Sequence, residues 1–370
     1  MAAFKEALSK KTLPRLARAI AAVHPAFDEK AFLERVFATL ARHELKGRVD
    51  LIARALRECL PADYPQALAL LVRSLDADAE LEGFLLWPHA HYVLLFGTGP
   101  DDRDFEASMR ALERITERFT GEFAIRPFLR LRREKTLARV HRWTESANVH
   151  HRRLASEGTR PLLPWGERLP EFFDHPEWGL AVLEKLRFDP DEYVRKSVAN
   201  HLNDFSKRHP DLVIRTLARW LKESPDPSRK HVAWIARHAS RTLLKKGHAG
   251  AMKLQGLRPA DVGLRDLRLS KRALKLGDTL EARFTLVSRE KKPSKLMIDY
   301  AVHHRKANGK SQAKVFKHAV RTVGARESIE LRLRHPIREI TTRKYYSGAH
   351  AIEILVNGRS LGRAAFTLKT

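Results

Sequence analysis

Residues 188–204 read FDPDEYVRKSVANHLND, and this stretch decides the fold. Asp191 stands where a helix would begin, and an acid there is favoured by the partial positive charge of a helix N-terminus. Val194, Val198, Leu202 and Phe205 recur at steps of three and four, so one face is apolar. Lys196, Asn200, Asp204 and Lys207 share the other face. The same period returns on both sides of this segment. Phe32, Val36, Phe37 and Leu40 follow Asp28, a candidate cap; Leu51, Ile52, Ala55, Leu56 and Cys59 form a stripe ended by Pro61. Further stripes run over 109–119, 123–131, 147–154 and 181–186.

Successive short helices of this kind imply helix pairs stacked in a solenoid. The Asp-x-x-Val-Arg…Ala…Leu spacing of 191–202 is that of a HEAT-type repeat, and the copies elsewhere are degenerate. Near Leu257 the period changes from 3.6 to 2. Segments 281–287, 295–303, 328–334 and 350–356 alternate apolar and polar residues. Gly277-Asp278, Asn308-Gly309 and Asn357-Gly358 mark tight reversals. About seven strands fit here, the size of an immunoglobulin-like sandwich without a disulfide. The expected architecture is an all-α HEAT-like repeat solenoid over 1–257, followed by an all-β immunoglobulin-like sandwich over 258–370. A chain ended near Gly256 is expected to fold without the sandwich.

The chain has 370 residues, with 70 Lys+Arg against 44 Asp+Glu, a formal net charge of +26. Such an excess says little about fold and much about partners: nucleic acid first, an anionic membrane second. Residues 261–370 hold 25 basic and 10 acidic residues, a net of +15. Tyr300 to Arg326 has no acid at all, and carries Arg305, Lys306, Lys310, Lys314, Lys317, Arg321 and Arg326. One cysteine, Cys59, rules out an internal disulfide and a cysteine zinc site. The N-terminus lacks an apolar core of signal-peptide length, and the uncharged run 83–100 is broken by Pro88, His89, His91 and Gly97. These features point to a protein of the reducing cytoplasm with no membrane role, no obligate protein partner and no metal or cofactor. Phosphate-binding glycine loops, zincin motifs and nucleophile elbows are all absent from the sequence.

Several polar residues could carry chemistry, and each has a plainer reading. Glu122 follows Thr120 and Gly121 at a helix start, where an acid serves the dipole. Glu157 ends a helix before Gly158, a candidate left-handed C′ residue, and there the dipole opposes it. Arg153, four residues earlier, could pair with it. Arg152, Arg153 and Glu157 together make a charged turn. Trp165 sits between Pro164 and Gly166 and either plugs the core or offers a flat face. Asp204 among Lys196 and Lys207 is either a surface ion pair or an anomaly on a phosphate-facing surface. Arg237, Arg241, Lys245 and His248 fall on one stripe that could track phosphates or simply face solvent.

At 148–165 (NVHHRRLASEGTRPLLPW), 189–211 (DPDEYVRKSVANHLNDFSKRHPD) and 234–251 (WIARHASRTLLKKGHAGA) the sequence resembles the AlkC branch of the HEAT-like-repeat DNA alkylation repair glycosylases, related to the AlkD branch. The resemblance covers essentially the whole chain, sandwich included. It implies a monofunctional glycosylase for cationic N3-alkylated bases, chiefly 3-methyladenine and 3-methylcytosine, in double-stranded DNA, acting without base flipping. It implies that Glu157, Trp165, Asp204 and Glu122 lie at the lesion, and that Arg153, Lys207 and Arg241 hold phosphates. Glu122 lies outside the three matching stretches. The rival readings are a non-enzymatic HEAT-repeat scaffold for nucleic acid, in which the acids are structural, and a protein-binding solenoid, which the charge disfavours.

Overall fold

The computed structural model describes residues 2–340 and 343–370; Met1, Thr341 and Thr342 lie outside the described residues. The chain divides into two compact units. One comprises the residues up to Arg208 with Glu223–Ala239, the other His209–Lys222 with Ser240–Thr370.

The first unit is helical. Short polar residues start its helices by accepting the orphan N–H groups of the first turn. Asp28 accepts from Ala31, Asp63 from Gln66, Asn148 from His150 and Asp191 from Tyr193. Each main helix packs on the next but one. Leu45–Cys59 lies on Trp87–Phe96, and Tyr64–Ala77 on Asp102–Thr116. Val149–Gly158 lies on Glu192–Phe205, and the latter on Arg229–Ala239. Two rows of helices result, with the apolar stripes between them: the repeat solenoid expected from the period. Val194, Val198, Leu202 and Phe205 are all fully buried. The uncharged run at 83–100 forms the Trp87–Phe96 helix, whose buried His89 meets Ser74 Oγ at 3.1 Å. Among the described residues no helix is long and apolar enough to cross a membrane.

Among the described residues the second unit carries eight strands: β1 (Val262–Leu269), β2 (Ala273–Lys275), β3 (Thr279–Ser288), β4 (Ser294–Arg305), β5 (Ser311–Val323), β6 (Ser328–Pro336), β7 (Gly348–Val356) and β8 (Arg359–Lys369). They form a three-stranded sheet, β1-β3-β6, and a five-stranded sheet, β2-β8-β7-β4-β5. Only β2 and β8 pair in parallel. The period-two residues of both sheets meet in one core that includes Leu280, Phe284, Ile298, Val302, Ile352 and Phe366. Asn357 and Gly358 both take positive φ, which a tight two-residue reversal between β7 and β8 requires. Asn357 also ties that turn down: its Oδ1 accepts from Met297 N at 2.7 Å, and its Nδ2 donates to Arg258 O at 2.7 Å.

Helices end at Leu254 and strands begin at Val262, yet the compact units do not divide there. Leu243, Leu244, Ala251, Met252 and Leu257 bury together against Met297 of β4, with Ile214 alongside. The last helical turns therefore share a core with the sandwich. Sequence periodicity could not show this, because it reports which face is apolar and not what covers it. Ending the chain at Gly256 uncovers that cluster. We expect the shortened chain to lose ordered structure over 240–256, seen as fast amide exchange there, instead of keeping an intact helical domain.

Two buried histidines make the sandwich sensitive to acid. Burial, reinforced by Arg343, holds His304 down to about 3 and His335 down to about 4. The unfolded chain binds these protons near pH 6.5 and the folded one does not, so stability falls as pH drops below 6.5. Asp299 works the other way. Burial pushes it up to about 6, so its contribution grows on acidification. Two groups oppose one, and the melting temperature of this unit should fall between pH 6.5 and 5. The H335Q chain should show a shallower fall in calorimetry.

Candidate active site

The site is built on the end of the Val149–Gly158 helix. Gly158 is its last helical residue, with Thr159 following at φ −94°, so it is not the left-handed C′ residue expected. Glycine is needed for a different reason: a Cβ would stand 2.7 Å from Ile125 Cγ2. That close approach lets fully buried Arg126 reach beneath the helix end. Arg126 Nη1 donates to Gly158 O at 2.9 Å and Nη2 to Arg160 O at 2.8 Å, while Nε reaches Glu167 O at 2.5 Å. One guanidinium thus satisfies three carbonyls that the helix end and its loop leave over. Its charge has no ion-pair partner among the described residues, and burial lowers it to about 10.

Above this support lie three carboxylates. Glu122, Glu157 and Asp204 are 8%, 6% and 2% exposed. Two arginines join them in a chain. Arg153 Nη1 pairs with Glu122, and its Nη2 lies 3.7 Å from Glu157. Arg160 Nη1 donates to Glu157 Oε1 at 2.5 Å, and its Nε to Asp204 Oδ2 at 2.9 Å. Burial works against the charge of both guanidinium groups, but the flanking carboxylates outweigh it and raise both above the ordinary arginine value. Thr120 Oγ1 donates to Glu122 at 2.9 Å, and Ser197 Oγ donates to Glu157 Oε2 at 2.6 Å. Lys207, half-exposed, closes the row on Asp204 at 3.3 Å. Glu122 lies in the turn before the Arg126–Leu131 helix and not in its first helical turn, so the dipole reading does not explain it.

Trp165 is 50% exposed, and so does not plug the core. Its φ of +66° is left-handed, a state that costs a bulky residue about 1–3 kcal/mol and persists only where surroundings enforce it. Lys46 Nζ donates to Trp165 O at 2.7 Å. The indole stacks on Trp87 at 6.5 Å and 5°, and Trp87 stacks on Phe123 at 5.2 Å. Phe123 is the neighbour of Glu122, so an aromatic stack links the exposed indole to the acid row. A cleft of about 280 Å³ opens between Trp165, Phe123 and Lys46.

Arg152, Arg153 and Lys207 take different places. Arg152 faces away from the acid row: its Nε meets Asp189 at 2.7 Å, and Nη1 donates to Ser146 O and Ala147 O. Arg153 lies inside the row, stacked on Tyr193 at 5.1 Å, and only Lys207 lies at its rim. The stripe of Arg237, Arg241, Lys245 and His248 is not one helix face. Arg237 ends Arg229–Ala239, Arg241 and Lys245 belong to the short helix Arg241–Lys245, and His248 caps Ala249–Leu254 by accepting from Ala251 N. The backbone breaks at Ser240 and Lys246, which spacing alone did not reveal. Sequence reading missed Arg160, Arg126 and Ser197 as site residues. Arg160 gave a faint signal, three residues after Glu157; Arg126 gave none. Among the described residues no three His, Cys, Asp or Glu side chains converge as metal ligands would.

Comparison with known proteins agrees with this architecture. A family model described as DNA alkylation repair enzyme matches residues 121–244, and one described as the C-terminal Ig-like domain of YhaZ matches 263–370. The uncharacterized protein YhaZ of Bacillus subtilis is 37% identical over 360 residues, covering 97% of each chain. The alkylpurine DNA glycosylase AlkC of Pseudomonas fluorescens, solved bound to DNA containing an abasic site analog, is 40% identical. It covers 99% of each chain at a TM-score of 0.92.

Removal of Arg126 tests the support beneath the site. R126M leaves two buried carbonyls and one part-buried one without a donor, the buried ones worth about 1–3 kcal/mol each, offset in part by the desolvation of the lost charge. We expect a net loss of about 2–4 kcal/mol in urea unfolding of the helical unit.

Proposed function

We propose, from the premise that this chain belongs to the family of AlkC and YhaZ, that it is an alkylpurine DNA glycosylase, hydrolysing the N-glycosidic bond of damaged bases in double-stranded DNA. The finer reading is that it releases cationic N3-alkylated bases, 3-methyladenine and 3-methylcytosine, without flipping them. One observation carries it: three buried carboxylates share the guanidinium groups of half-buried Arg153 and buried Arg160, near an exposed, conformationally forced tryptophan. The row by itself sets three carboxylates against two guanidinium groups; Arg126 beneath it and Lys207 at its rim are further cations. At the carboxylate edge the place is poor for a phosphate and good for a cation.

The chemistry follows from that charge. An N3-alkylated base already carries a positive charge, so it departs without a general acid. The sugar left behind is oxocarbenium-like and needs a negative environment and a water. Glu122, Glu157 and Asp204 supply the field, and it is preorganised because Arg153, Arg160 and Ser197 fix the carboxylates before substrate arrives. Trp165 offers its face at the surface to the deoxyribose or the cationic base. A face presented outside a closed pocket suits a lesion that stays stacked. Neutral lesions gain little from the field and should be poor substrates.

The phosphate-binding roles are reassigned accordingly. Lys207, Arg237, Arg241 and Lys245 remain candidates. Arg153 acts on the carboxylates, Arg152 serves the Asp189 loop, and His248 serves its helix. R152A should therefore lower stability and leave the salt dependence of DNA binding unchanged. K207A should reduce the log–log salt slope by about 0.9, the share of one neutralised phosphate.

Single-turnover excision of 3-methyladenine, run beside equilibrium binding and thermal melting, tests the core of the reading. E157Q and D204N should each slow excision on the order of 10²-fold, the scale for losing one positioned electrostatic group. Their affinity for undamaged duplex should hold or rise, since a charge that repels phosphate is gone. W165A should slow excision with no change in salt slope. Folded acid variants with wild-type rates would leave the acids structural and favour a non-enzymatic DNA-binding scaffold.

A further inference from the structure

The two sheets of the sandwich treat charge differently. On β1-β3-β6 three arginines have acids at hand. Arg268 lies 3.5 Å from Asp266, Arg332 3.7 Å from Glu330, and Arg334 2.9 Å from Glu281. A cavity of about 270 Å³ on the other sheet has no such balance. Arg305 and Lys306 at the end of β4, Lys314 on β5, and Arg343 and Lys344 before β7 line it, and no carboxylate does. None of these five side chains has an ion-pair partner among the described residues. Three hairpin and loop segments therefore converge like charges on one hollow, an arrangement that repels itself until an anion enters.

His304 lines the same cavity and is nine-tenths buried. Arg343 Nη1 lies 2.8 Å from its Nε2. A guanidinium can only donate, so Nε2 accepts and the ring proton sits on Nδ1. Nδ1 is buried, closed off from the cavity and without a partner among the described residues, so His304 acts on the cavity through Arg343, which it orients. Backbone geometry adds a third sign of a built site. Gly348 takes a φ of +126°, and a Cβ there would collide with the Arg305 guanidinium. Glycine lets the arginine lie against the chain at the rim.

We infer that this cavity is a phosphoryl-binding site, holding a tetrahedral oxyanion between Arg305, Lys314, Arg343 and Lys344, with His304 Nε2 orienting the Arg343 guanidinium. Arginine forks match the oxygens of a phosphate, and lysines add charge without demanding one geometry. The volume exceeds a bare phosphate, so a phosphate still attached to a sugar also fits. The group is either a backbone phosphate of duplex DNA or a free phosphate or monoester.

The test uses the full chain and K314Q/K344Q, in which both substituted lysines are exposed and fold should persist; equal melting temperatures verify that. Two measurements separate the sources. In titration calorimetry with inorganic phosphate, a free-phosphate site gives one site on the native chain and at least tenfold weaker binding by the variant. Its duplex affinity is then unchanged. A backbone site gives a log–log salt slope for intact duplex that is smaller by about 0.9 in the variant, because one phosphate is no longer neutralised. Added inorganic phosphate then competes with DNA on the native chain only. Either result supports the site. Native and variant chains that agree in both measurements would overturn it. K306Q/K344Q serves as a second pair should the first destabilise the hairpin. Excision is not read out, so a failure of the glycosylase reading leaves this test intact.

Discussion

The ion-paired row Glu122–Arg153–Glu157–Arg160–Asp204 is the interaction on which the helical unit's site depends. It ties the turn at 122, the end of one helix and the last turn of another. A buried carboxylate is tolerable only when a cation and hydrogen bonds replace its water. Removing a carboxylate from this row would leave a guanidinium buried and underpaired, so the members stand or fall together. Such rows are weak sources of stability, because desolvation consumes most of the Coulomb gain. What they provide is position. Each carboxylate is held in a fixed place before any substrate is present.

That fixed placement explains why acids lie in a protein of such basic composition. A net charge of +26 draws the whole molecule toward a polyanion, and the acid row locally reverses that field. Long-range attraction and local repulsion of phosphate then coexist, and the second marks where a positive centre is preferred. Arg126 makes the arrangement possible from below, by spending its donors on the carbonyls of the helix end so that Glu157 and Arg160 face the row. Trp165 reaches the same neighbourhood through stacked rings, held in a strained backbone by Lys46.

The second unit carries its charge differently, with paired arginines on one sheet and an unbalanced basic hollow on the other. β5 is an edge strand, and its Lys314, Lys317 and Arg321 protect the open edge from pairing with another chain. Those charges therefore serve solubility as well as any anion. The helices of 241–254 belong with this unit because Met297 completes their core.

Period and caps determined most of the fold. The 3.6-residue stripes through Val194, Val198 and Leu202 required helices with one covered face, and alternation in 281–287 and 350–356 required strands. Both patterns are local, so a linear sequence displays them. Glu157 and Asp204 were also visible, as charges in places where a dipole or a phosphate-facing surface disfavours them; Glu122 was not, because a helix start explains an acid. Tertiary structure alone decided their partners. Arg160 and Ser197 come from separate helices or loops, and pairing across forty residues leaves no periodic trace. It decided too that Arg152 turns to Asp189, that Trp165 is open, and that the basic stripe breaks at Ser240. In each case the outcome rests on which side chain another segment brings within hydrogen-bonding distance, and that is a property of packing, not of spacing.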